Sequence, residues 1–459
     1  MDDFNKDRLR RLGVFMLCMA IATILTFMIK EPDFTDSQVY VLFLLFFAVG
    51  LWTIEVMPAF AVSLIIISFL VFALGNEHLN SAPEDISKYV NTFSSSVIWL
   101  MLGGFFLAKA MSKTKLDEAL FRFAVRISGN NSRNLLLSIM VTTMFVSMLM
   151  ANTAITAMMI AAVMPLTSTL GKESKFSKAL LLGIPTASTA GGFATIIGSP
   201  VNAIAVGALE LIGLKVSFVD WVIYGLPLAL LLTALSWLYL AFVFLKSNEQ
   251  VSLAFLEKVK SEGSQEFNRQ RKVVIVVIIV TVSLWLTSSL HGITVAAVCA
   301  VPLVFLTLTR VIDGKDVQTL PWDTLLLIAG GLSLGLALEQ TGLLDHYAAM
   351  LIGLNLSSML LIWAFAYFTM LVSNVMSGTA ASAIMIPMGM AIVLNHQVDI
   401  GLIMAFGASC ALLLPVSSPS NAIAYSSGYL EQKDFLHMGL LIGLLGPMLT
   451  IFWVLFVSG

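Results

Sequence analysis

A short polar pattern that occurs twice constrains this chain more than any other feature. In each copy a cluster containing an asparagine interrupts a strongly apolar stretch, and a Ser-Pro-x-Asn cluster follows further along the chain. The first copy comprises 147–154 with 198–204, and the second comprises 369–375 with 417–423. Peptide groups and amide side chains are costly in hydrocarbon, so such breaks indicate a cavity lined by protein. Paired breaks in matching halves predict the binding site of a transporter.

The composition predicts a polytopic membrane protein. Of the 459 residues, 58% are hydrophobic and 11% are charged, with a mean hydropathy of +0.94, whereas soluble proteins carry about 25% charged residues. The net charge of −2 offers no basic surface for nucleic acid. We find no phosphate loop, metal-ligand cluster or nucleophile–base pair, so neither ATP-driven transport nor an enzyme is indicated.

We predict an all-α fold of about eleven transmembrane spans and two re-entrant hairpins. The hairpins are the apolar blocks 134–171 and 355–396, which are too long for one span and carry their tips at Asn152 and Asn374. If each block instead formed two full spans, the chain would still leave the block on the side where it entered, but the asparagines would lie at the far surface of the membrane. The spans are predicted at 12–29, 38–55, 58–75, 96–113, 179–209, 221–245, 272–290, 292–309, 322–341, 400–427 and 436–457.

The distribution of positive charge predicts the orientation. All but three of the 25 Lys and Arg fall in segments or span ends that this topology places in the cytoplasm, the exceptions being Lys30, Lys88 and Lys215. The chain is therefore predicted to lie in the cell (inner or plasma) membrane with its N-terminus cytoplasmic and its C-terminus outside. The segment 112–133 is predicted as an amphipathic helix on the inner face, with a counterpart at 342–354 on the outer face.

The two halves also match before the polar breaks. The segment that begins with Leu102-Gly103-Gly104 matches the segment that begins with Ala329-Gly330-Gly331. Glycine pairs alone are common helix-packing sites, but the whole ordered series predicts a duplication with opposite orientation, an inverted repeat. The predicted divisions are scaffold spans 1–95, a first repeat 96–245, a cytoplasmic linker 246–271, scaffold spans 272–321 and a second repeat 322–459.

The polar breaks have a chemistry suited to ions. A broken helix exposes N–H groups at one half-helix, which attract oxyanions, and carbonyls at the other, which attract small cations. The amide groups of Asn152 and Asn374 can offer an oxygen to a cation and an N–H to an anion. Pro200 and Pro419 each remove a backbone donor and predict unwinding just before them, while Asn202 and Asn421 are predicted to cap the half-helices beyond. No Lys or Arg lies within 316–432, so an anion would need amide donors, helix dipoles and a co-bound cation such as Na⁺.

These paired hairpin tips, together with the Ser-Pro-x-Asn clusters that come after them (the followers), resemble the divalent anion–sodium symporter family, the dicarboxylate and citrate carriers. The family's usual tip is Ser-Asn-Thr, and its followers read Gly-Thr-Pro-Pro-Asn and Ala-Thr-Pro-Pro-Asn. This chain has Ala151 where the first tip usually has Ser and Val375 where the second has Thr. The resemblance implies Na⁺-coupled transport of a C4-dicarboxylate such as succinate across the lipid bilayer. It also implies a homodimer in which a transport domain moves like an elevator against a scaffold.

Carried over position by position, the resemblance implies two sodium sites and a substrate site between the tips. The first sodium site is assigned to Ser147, Ala151, Asn152 and Gly198. The second is assigned to Thr369, Ser373, Asn374 and Ser417. The substrate site is assigned to Asn152, Thr153, Ser199, Asn374, Val375, Ser418 and Pro419. Na⁺ is implied as a co-transported ion and not as a prosthetic group.

Two alternatives stay open on the sequence alone. A sodium-independent dicarboxylate or citrate antiporter is compatible with the hydroxyl missing at Ala151. A channel or a membrane receptor with the same fold is a more remote alternative. Dependence of uptake on an inward Na⁺ gradient separates the symporter from the antiporter. A receptor would bind its ligand without moving it.

Overall fold

The computed structural model describes residues 2–245, 250–251, 265–352 and 356–459. Within these residues the secondary structure is helical, with no strand and a single bridge pair between Asn131 and Gln250. This confirms the predicted all-α class. The predicted linker 246–271 falls mostly outside the described residues, as do its lysines Lys246, Lys258 and Lys260.

The first half of the chain begins with long apolar helices, as the hydropathy predicts. The N-terminal helices are α1 (Asp2–Ile29), α2 (Asp36–Ile54), α3 (Ala59–Leu74) and the short α4 (Ser87–Val90). They are followed by α5 (Ser96–Lys113), α6 (Leu116–Ser128), α7 (Ser132–Ser147), α8 (Asn152–Leu170), α9 (Lys175–Phe193), α10 (Pro200–Leu211) and α11 (Phe218–Phe244).

The second half repeats that order of elements after a connecting set of helices. The connecting helices are α12 (Gln265–Leu286), α13 (Ser288–His291), α14 (Val295–Val298), α15 (Ala300–Leu308) and α16 (Gly314–Gln318). The repeated series is α17 (Trp322–Gln340), α18 (Leu343–Ile352), α19 (Ser358–Val375), α20 (Gly378–Ile392), α21 (Gln397–Ser409), α22 (Pro419–Ser426) and α23 (Gln432–Ser458). In each half a span, a short helix, two hairpin arms, a broken span and a long final helix follow one another.

Length and composition identify the helices that can cross a membrane. Among the described residues, 8 helices are long and apolar enough, and 9 if the pair Gly378–Ile392 and Leu394–Ser409, which is bent by 110° at the break between them, counts as one span. Three shorter apolar helices, Ala59–Leu74, Pro200–Leu211 and Val295–Leu308, coincide with further predicted spans. The multi-pass membrane class is confirmed, and the number of eleven spans stays a prediction.

The chain divides into two compact units. The first unit comprises Met1–Ile98, Ile204–Lys215 and Trp322–Ala408. In it α17 packs against α3 and α20, and Gly330 lies so close to Ser63 that a Cβ there would come within 2.3 Å of the serine Cβ. The second unit comprises Trp99–Ala203, Val216–Pro321 and Ser409–Gly459. In it α9 packs against α7 and α11.

Both predicted hairpins consist of two helices separated by a short break, but the breaks fall differently. In the first, α7 ends at Ser147 and Asn152 is the first residue of α8. In the second, α19 continues through Asn374 to Val375. The prediction that Asn374 forms the second tip is therefore wrong by a few residues. The break lies at 376–377 because the Ser377 hydroxyl accepts a hydrogen bond from the Ala380 N–H and so starts α20.

Candidate functional site

The first hairpin break joins Ser147 to Asn152. The Ser147 hydroxyl donates a hydrogen bond to Asn152 Oδ1 at 2.7 Å. Ser147 is fully buried and Asn152 is half-buried. Ala151 occupies the N-cap position of α8 and makes no side-chain cap, because alanine has no oxygen to accept the N–H groups there. The arrangement places hydroxyl and amide oxygens next to the start of a 19-residue helix, where backbone N–H groups favour an anion.

The first broken span unwinds where the proline predicts. α9 ends at Phe193, a 3₁₀ turn covers Ile196–Gly198, and Pro200 is the first residue of α10. Proline is favoured there because its missing N–H would have no partner in a first helical turn. Ser199 is extended, with φ −149° and ψ 140°, and its hydroxyl accepts a hydrogen bond from the Val201 N–H at 3.3 Å.

Gly192 brings the first hairpin and the first broken span together. A Cβ on Gly192 would come within 2.7 Å of Asn152 Nδ2 and 2.8 Å of its Oδ1, so the amide lies directly against the glycine backbone. A Cβ on Gly198 would come within 2.8 Å of the Gly192 carbonyl oxygen. The Thr195 hydroxyl donates a hydrogen bond to the Met148 carbonyl oxygen at 2.5 Å. Predicted residues Asn152 and Gly198 are thus brought together through Gly192.

In the second hairpin the polar side chains are arranged otherwise. Asn374 Nδ2 donates a hydrogen bond to the Met370 carbonyl oxygen of its own helix at 2.9 Å. Thr369 and Ser373 are fully buried, and their hydroxyls have no hydrogen-bond partner among the described residues. Since a helical Ser or Thr usually bonds back to its own helix, two such unpartnered hydroxyls on one helix are unusual and leave two oxygens available to a ligand.

The second broken span repeats the local geometry of the first. α21 ends at Ser409 and Pro419 is the first residue of α22. Ser418 is extended, with φ −144° and ψ 147°, and its hydroxyl accepts a hydrogen bond from the Asn421 N–H at 3.2 Å. The Ser417 hydroxyl accepts one from the Leu414 N–H at 3.0 Å. The pair Ser418 and Pro419 therefore starts the half-helix as Ser199 and Pro200 do in the first repeat.

The predicted capping role of the two follower asparagines is wrong. Asn202 Nδ2 donates hydrogen bonds to the carbonyl oxygens of Gly192 and Thr195, at 2.7 and 2.8 Å. Asn421 Nδ2 donates to the carbonyl oxygens of Leu412 and Leu414, both at 3.2 Å. Both side chains turn back into the unwound segment because Ser199 and Ser418 already hold the capping positions.

The remaining predicted residues differ in exposure and in the unit to which they belong. Thr153 and Pro419 are exposed, and Val375 is 73% exposed, whereas Ser199 and Ser417 are buried. The residues of the first hairpin and of both followers lie in the second unit, and those of the second hairpin lie in the first unit.

Several residues of the site were not predicted as such. Thr195, Gly192 and Ser377 contact the breaks directly. A Cβ on Gly191 would come within 2.2 Å of the Met144 carbonyl oxygen. The glycines and Ser377 had a signal in the sequence, namely a Gly-Gly pair just before a proline break and a Ser three residues before a helical alanine, whereas Thr195 had none. Neither signal says which distant segment the residue would meet.

The donor set suits a hard monovalent cation. Among the described residues no group of three or more His, Cys, Asp or Glu could hold a metal ion. Hydroxyl, amide and backbone carbonyl oxygens are the oxygens present at the breaks, and such oxygens suit hard cations.

Comparisons with known proteins bear on the whole chain. Residues 10–457 match the family model described as "Sodium:sulfate symporter transmembrane region". The sodium-dependent dicarboxylate transporter SdcS of Staphylococcus saprophyticus is 28% identical over 473 residues, covering 95% of this chain and 89% of that protein. The SdcS of Staphylococcus aureus (strain USA300) is 29% identical over 475 residues, with the same coverage.

A solved structure has a similar fold. The YdaH transporter of Alcanivorax borkumensis aligns with a TM-score of 0.61 at 14% sequence identity, covering 88% of this chain and 98% of that one. At this identity the likeness concerns the fold alone.

Proposed function

This chain belongs to the sodium:sulfate symporter family, and from that premise we propose that it is a Na⁺-coupled symporter of a C4-dicarboxylate such as succinate. The family and the curated relatives are transporters and not enzymes. The relatives are named as sodium-dependent dicarboxylate transporters. The observation that carries the proposal is the pair of polar breaks, each with neutral oxygens at a helix end.

We propose that the first Na⁺ is held at Ser147, Ala151, Asn152 and Gly198. Support comes from the Ser147–Asn152 hydrogen bond and from the close approach of both asparagine and Gly198 to Gly192. Ala151 can contribute only its backbone carbonyl, since it has no hydroxyl. The 2.7 Å bond would hold the amide oxygen in place before the cation arrives, which lowers the entropy cost of binding.

We propose that the second Na⁺ is held at Thr369, Ser373, Asn374 and Ser417. The buried, unpartnered hydroxyls of Thr369 and Ser373 support this assignment. A buried polar atom without a partner costs about 1–3 kcal/mol, and a bound cation would offset that cost.

For the anion we propose contacts with Asn152, Thr153, Ser199, Asn374, Val375, Ser418 and Pro419. Amide N–H groups and helix N-termini at α8 and α22 favour carboxylates without an arginine. The co-bound Na⁺ would offset the cost of taking a dianion out of water. An elevator motion, a homodimer, and an orientation with the N-terminus cytoplasmic and the C-terminus outside belong to the same proposal.

The test is uptake of labelled succinate into proteoliposomes with an inward Na⁺ gradient, with K⁺ replacing Na⁺ as the matched control. Uptake that requires Na⁺ and saturates with succinate is the expected result. Absence of succinate uptake, with uptake of sulfate or citrate instead, would overturn the substrate assignment and leave the Na⁺ coupling in place.

One observation favours a second candidate, a sodium-independent dicarboxylate or citrate antiporter. The N-cap position of α8 carries Ala151, so one hydroxyl that the resemblance expects near the first cation is absent. An antiporter would take up succinate only when the vesicle contains a dicarboxylate, and would do so equally in K⁺. A channel would show flux without saturation, and a receptor would bind succinate without uptake.

A further inference from the structure

The amides of Asn202 and Asn421 hold the unwound segments of the two broken spans in the same way. Each Nδ2 donates two hydrogen bonds to carbonyl oxygens that precede it in the chain: Gly192 and Thr195 in the first repeat, Leu412 and Leu414 in the second. Each asparagine is buried, with 0% of Asn202 and 2% of Asn421 exposed. The same two-carbonyl bridge thus occurs in both repeats.

Such a bridge determines the geometry of the unwound backbone. Carbonyls in an unwound stretch lack the helical N–H partners that would orient them. An amide NH₂ carries two donors in a fixed plane, so one side chain can fix the directions of two carbonyl groups. The orientations of the peptide groups between them are restricted as a consequence, and in the first repeat the Thr195 carbonyl also accepts a hydrogen bond from the Gly198 N–H at 3.2 Å.

Each bridge also connects to a residue assigned to a cation. Gly192 accepts a hydrogen bond from Asn202, and its α-carbon lies against the amide of Asn152. Leu414 accepts a hydrogen bond from Asn421, and its N–H donates to the Ser417 hydroxyl. One backbone residue therefore links the bridging asparagine to a cation-site residue in each repeat.

Burial of Asn202 is not explained by stability alone. Its Oδ1 has no hydrogen-bond partner among the described residues. A buried amide with an unsatisfied oxygen contributes less to stability than its two donated bonds suggest, although removing the amide also leaves the Gly192 and Thr195 carbonyl oxygens without this donor. Leucine has the same branching and the same number of side-chain heavy atoms as asparagine but neither donors nor acceptors, so Asn202→Leu removes both donated bonds while keeping the branched shape of the side chain.

We propose that Asn202 and Asn421 are positioning residues that fix the carbonyl geometry of the two broken spans and thereby set the affinity for the co-transported cation. They do not contact the dicarboxylate. This inference rests on the proposed Na⁺ coupling and adds two residues that act through Gly192 and Leu414.

The experiment measures Na⁺ binding without transport. The melting temperature of purified wild-type protein is titrated with NaCl, with KCl holding the ionic strength constant, because a ligand that binds the folded state raises the melting temperature. Asn202→Leu and Asn421→Leu should melt at a lower temperature than the wild type in K⁺, because two carbonyl oxygens lose a donor in each variant. The Na⁺ response of each variant is therefore measured from its own melting temperature in K⁺. The half-saturating Na⁺ concentration should rise about ten-fold or more, as loss of one to two net hydrogen bonds implies.

A matched control is Asn80→Leu. Asn80 is 2% exposed and its Nδ2 also donates to two oxygens, Ser37 Oγ at 3.1 Å and the Leu74 carbonyl at 3.0 Å, but it lies outside both broken spans. Its Na⁺ titration should match the wild type. If either leucine variant fails to fold, Asn202→Ser and Asn421→Ser provide the same comparison with one donor retained.

The outcomes separate this inference from the proposed function. A wild-type Na⁺ titration in both Asn202→Leu and Asn421→Leu overturns the positioning role and leaves Na⁺ coupling intact. Na⁺ stabilisation of the wild type that the two variants lose, together with absence of succinate uptake, supports the positioning role and overturns the substrate. A wild type that shows no response to Na⁺ overturns both.

Discussion

The Ser147 hydroxyl donates a 2.7 Å hydrogen bond to Asn152 Oδ1, so the last residue of one hairpin arm orients the first residue of the next. Among the described residues of the second repeat, the hydroxyl at the matching position does not make this bond. Thr369, at the corresponding position, has no hydrogen-bond partner in the described part of the chain, and Asn374 bonds back to Met370. The two repeats therefore present the same types of oxygen in different local geometries, and the two proposed cation sites should differ in affinity.

Asn152→Ala should reduce Na⁺-dependent succinate uptake at least about ten-fold, because it removes the amide that Ser147 orients and a lost polar contact of this kind costs about 1–3 kcal/mol. The measurement is initial uptake in proteoliposomes, normalised to the amount of inserted protein. Asn134→Ala, an exposed asparagine in the same hairpin, is the control. Wild-type rates in Asn152→Ala would remove this residue from the site.

Thr369→Val should weaken Na⁺ binding without weakening the fold. Valine keeps the shape of threonine and removes a buried hydroxyl that has no partner among the described residues, so the melting temperature in K⁺ should stay equal or rise. The Na⁺ concentration for half-maximal uptake should increase several-fold. Ser132→Ala removes another buried hydroxyl with no partner in the described part, at the start of α7. An equal shift of the half-maximal Na⁺ concentration in both variants would show that the effect is not specific to the second hairpin.

Ala151→Ser with Val375→Thr should change substrate preference. Both positions are exposed, so the added hydroxyls can reach a bound carboxylate without repacking the core. A serine at the N-cap position of α8 would also accept a backbone N–H of the first turn. We expect the ratio of kcat/KM for succinate to that for citrate to change at least several-fold. An unchanged ratio would show that other residues determine selectivity.

Asp117→Asn should flatten the pH dependence of stability. Asp117 lies in the first turn of α6, is 4% exposed, and burial raises its pKa from the ordinary 3.8 to about 6. Because the folded-state pKa is the higher one, its stabilising effect is complete below about pH 4 and is lost as the pH rises through 6. The free energy of unfolding falls by about 3 kcal/mol between a pH well below 4 and a pH well above 6.

The check on Asp117 is the melting temperature from pH 4 to 7. The wild type should lose more stability over this range than Asp117→Asn, and at pH 7 the variant should melt at the higher temperature. Glu118→Gln removes a neighbouring charge that also raises the pKa of Asp117, so it should flatten the pH curve less than Asp117→Asn does. Parallel pH curves for wild type and Asp117→Asn would show that this carboxyl is not the titrating group.

The amino-acid sequence by itself determined the all-helical membrane class, the order of the elements and the approximate positions of the polar breaks, whereas the second hairpin break lies at 376–377 and not at the predicted Asn374. Those properties depend on local chemistry, because an apolar run of sufficient length forms a helix in a membrane and a proline removes one backbone donor. The unwinding before Pro200 and Pro419 and the short helices at Leu116–Ser128 and Leu343–Ile352 follow from such local rules.

The tertiary structure alone decided which polar groups meet. Asn202 was expected to cap its helix and instead bridges the carbonyls of Gly192 and Thr195, because Ser199 already occupies the cap. The contact between Gly192 and Asn152 requires α9 to pack against the first hairpin. Spacing along the chain specifies the type of side chain available, but packing between helices decides the direction in which each amide donates its hydrogen bonds.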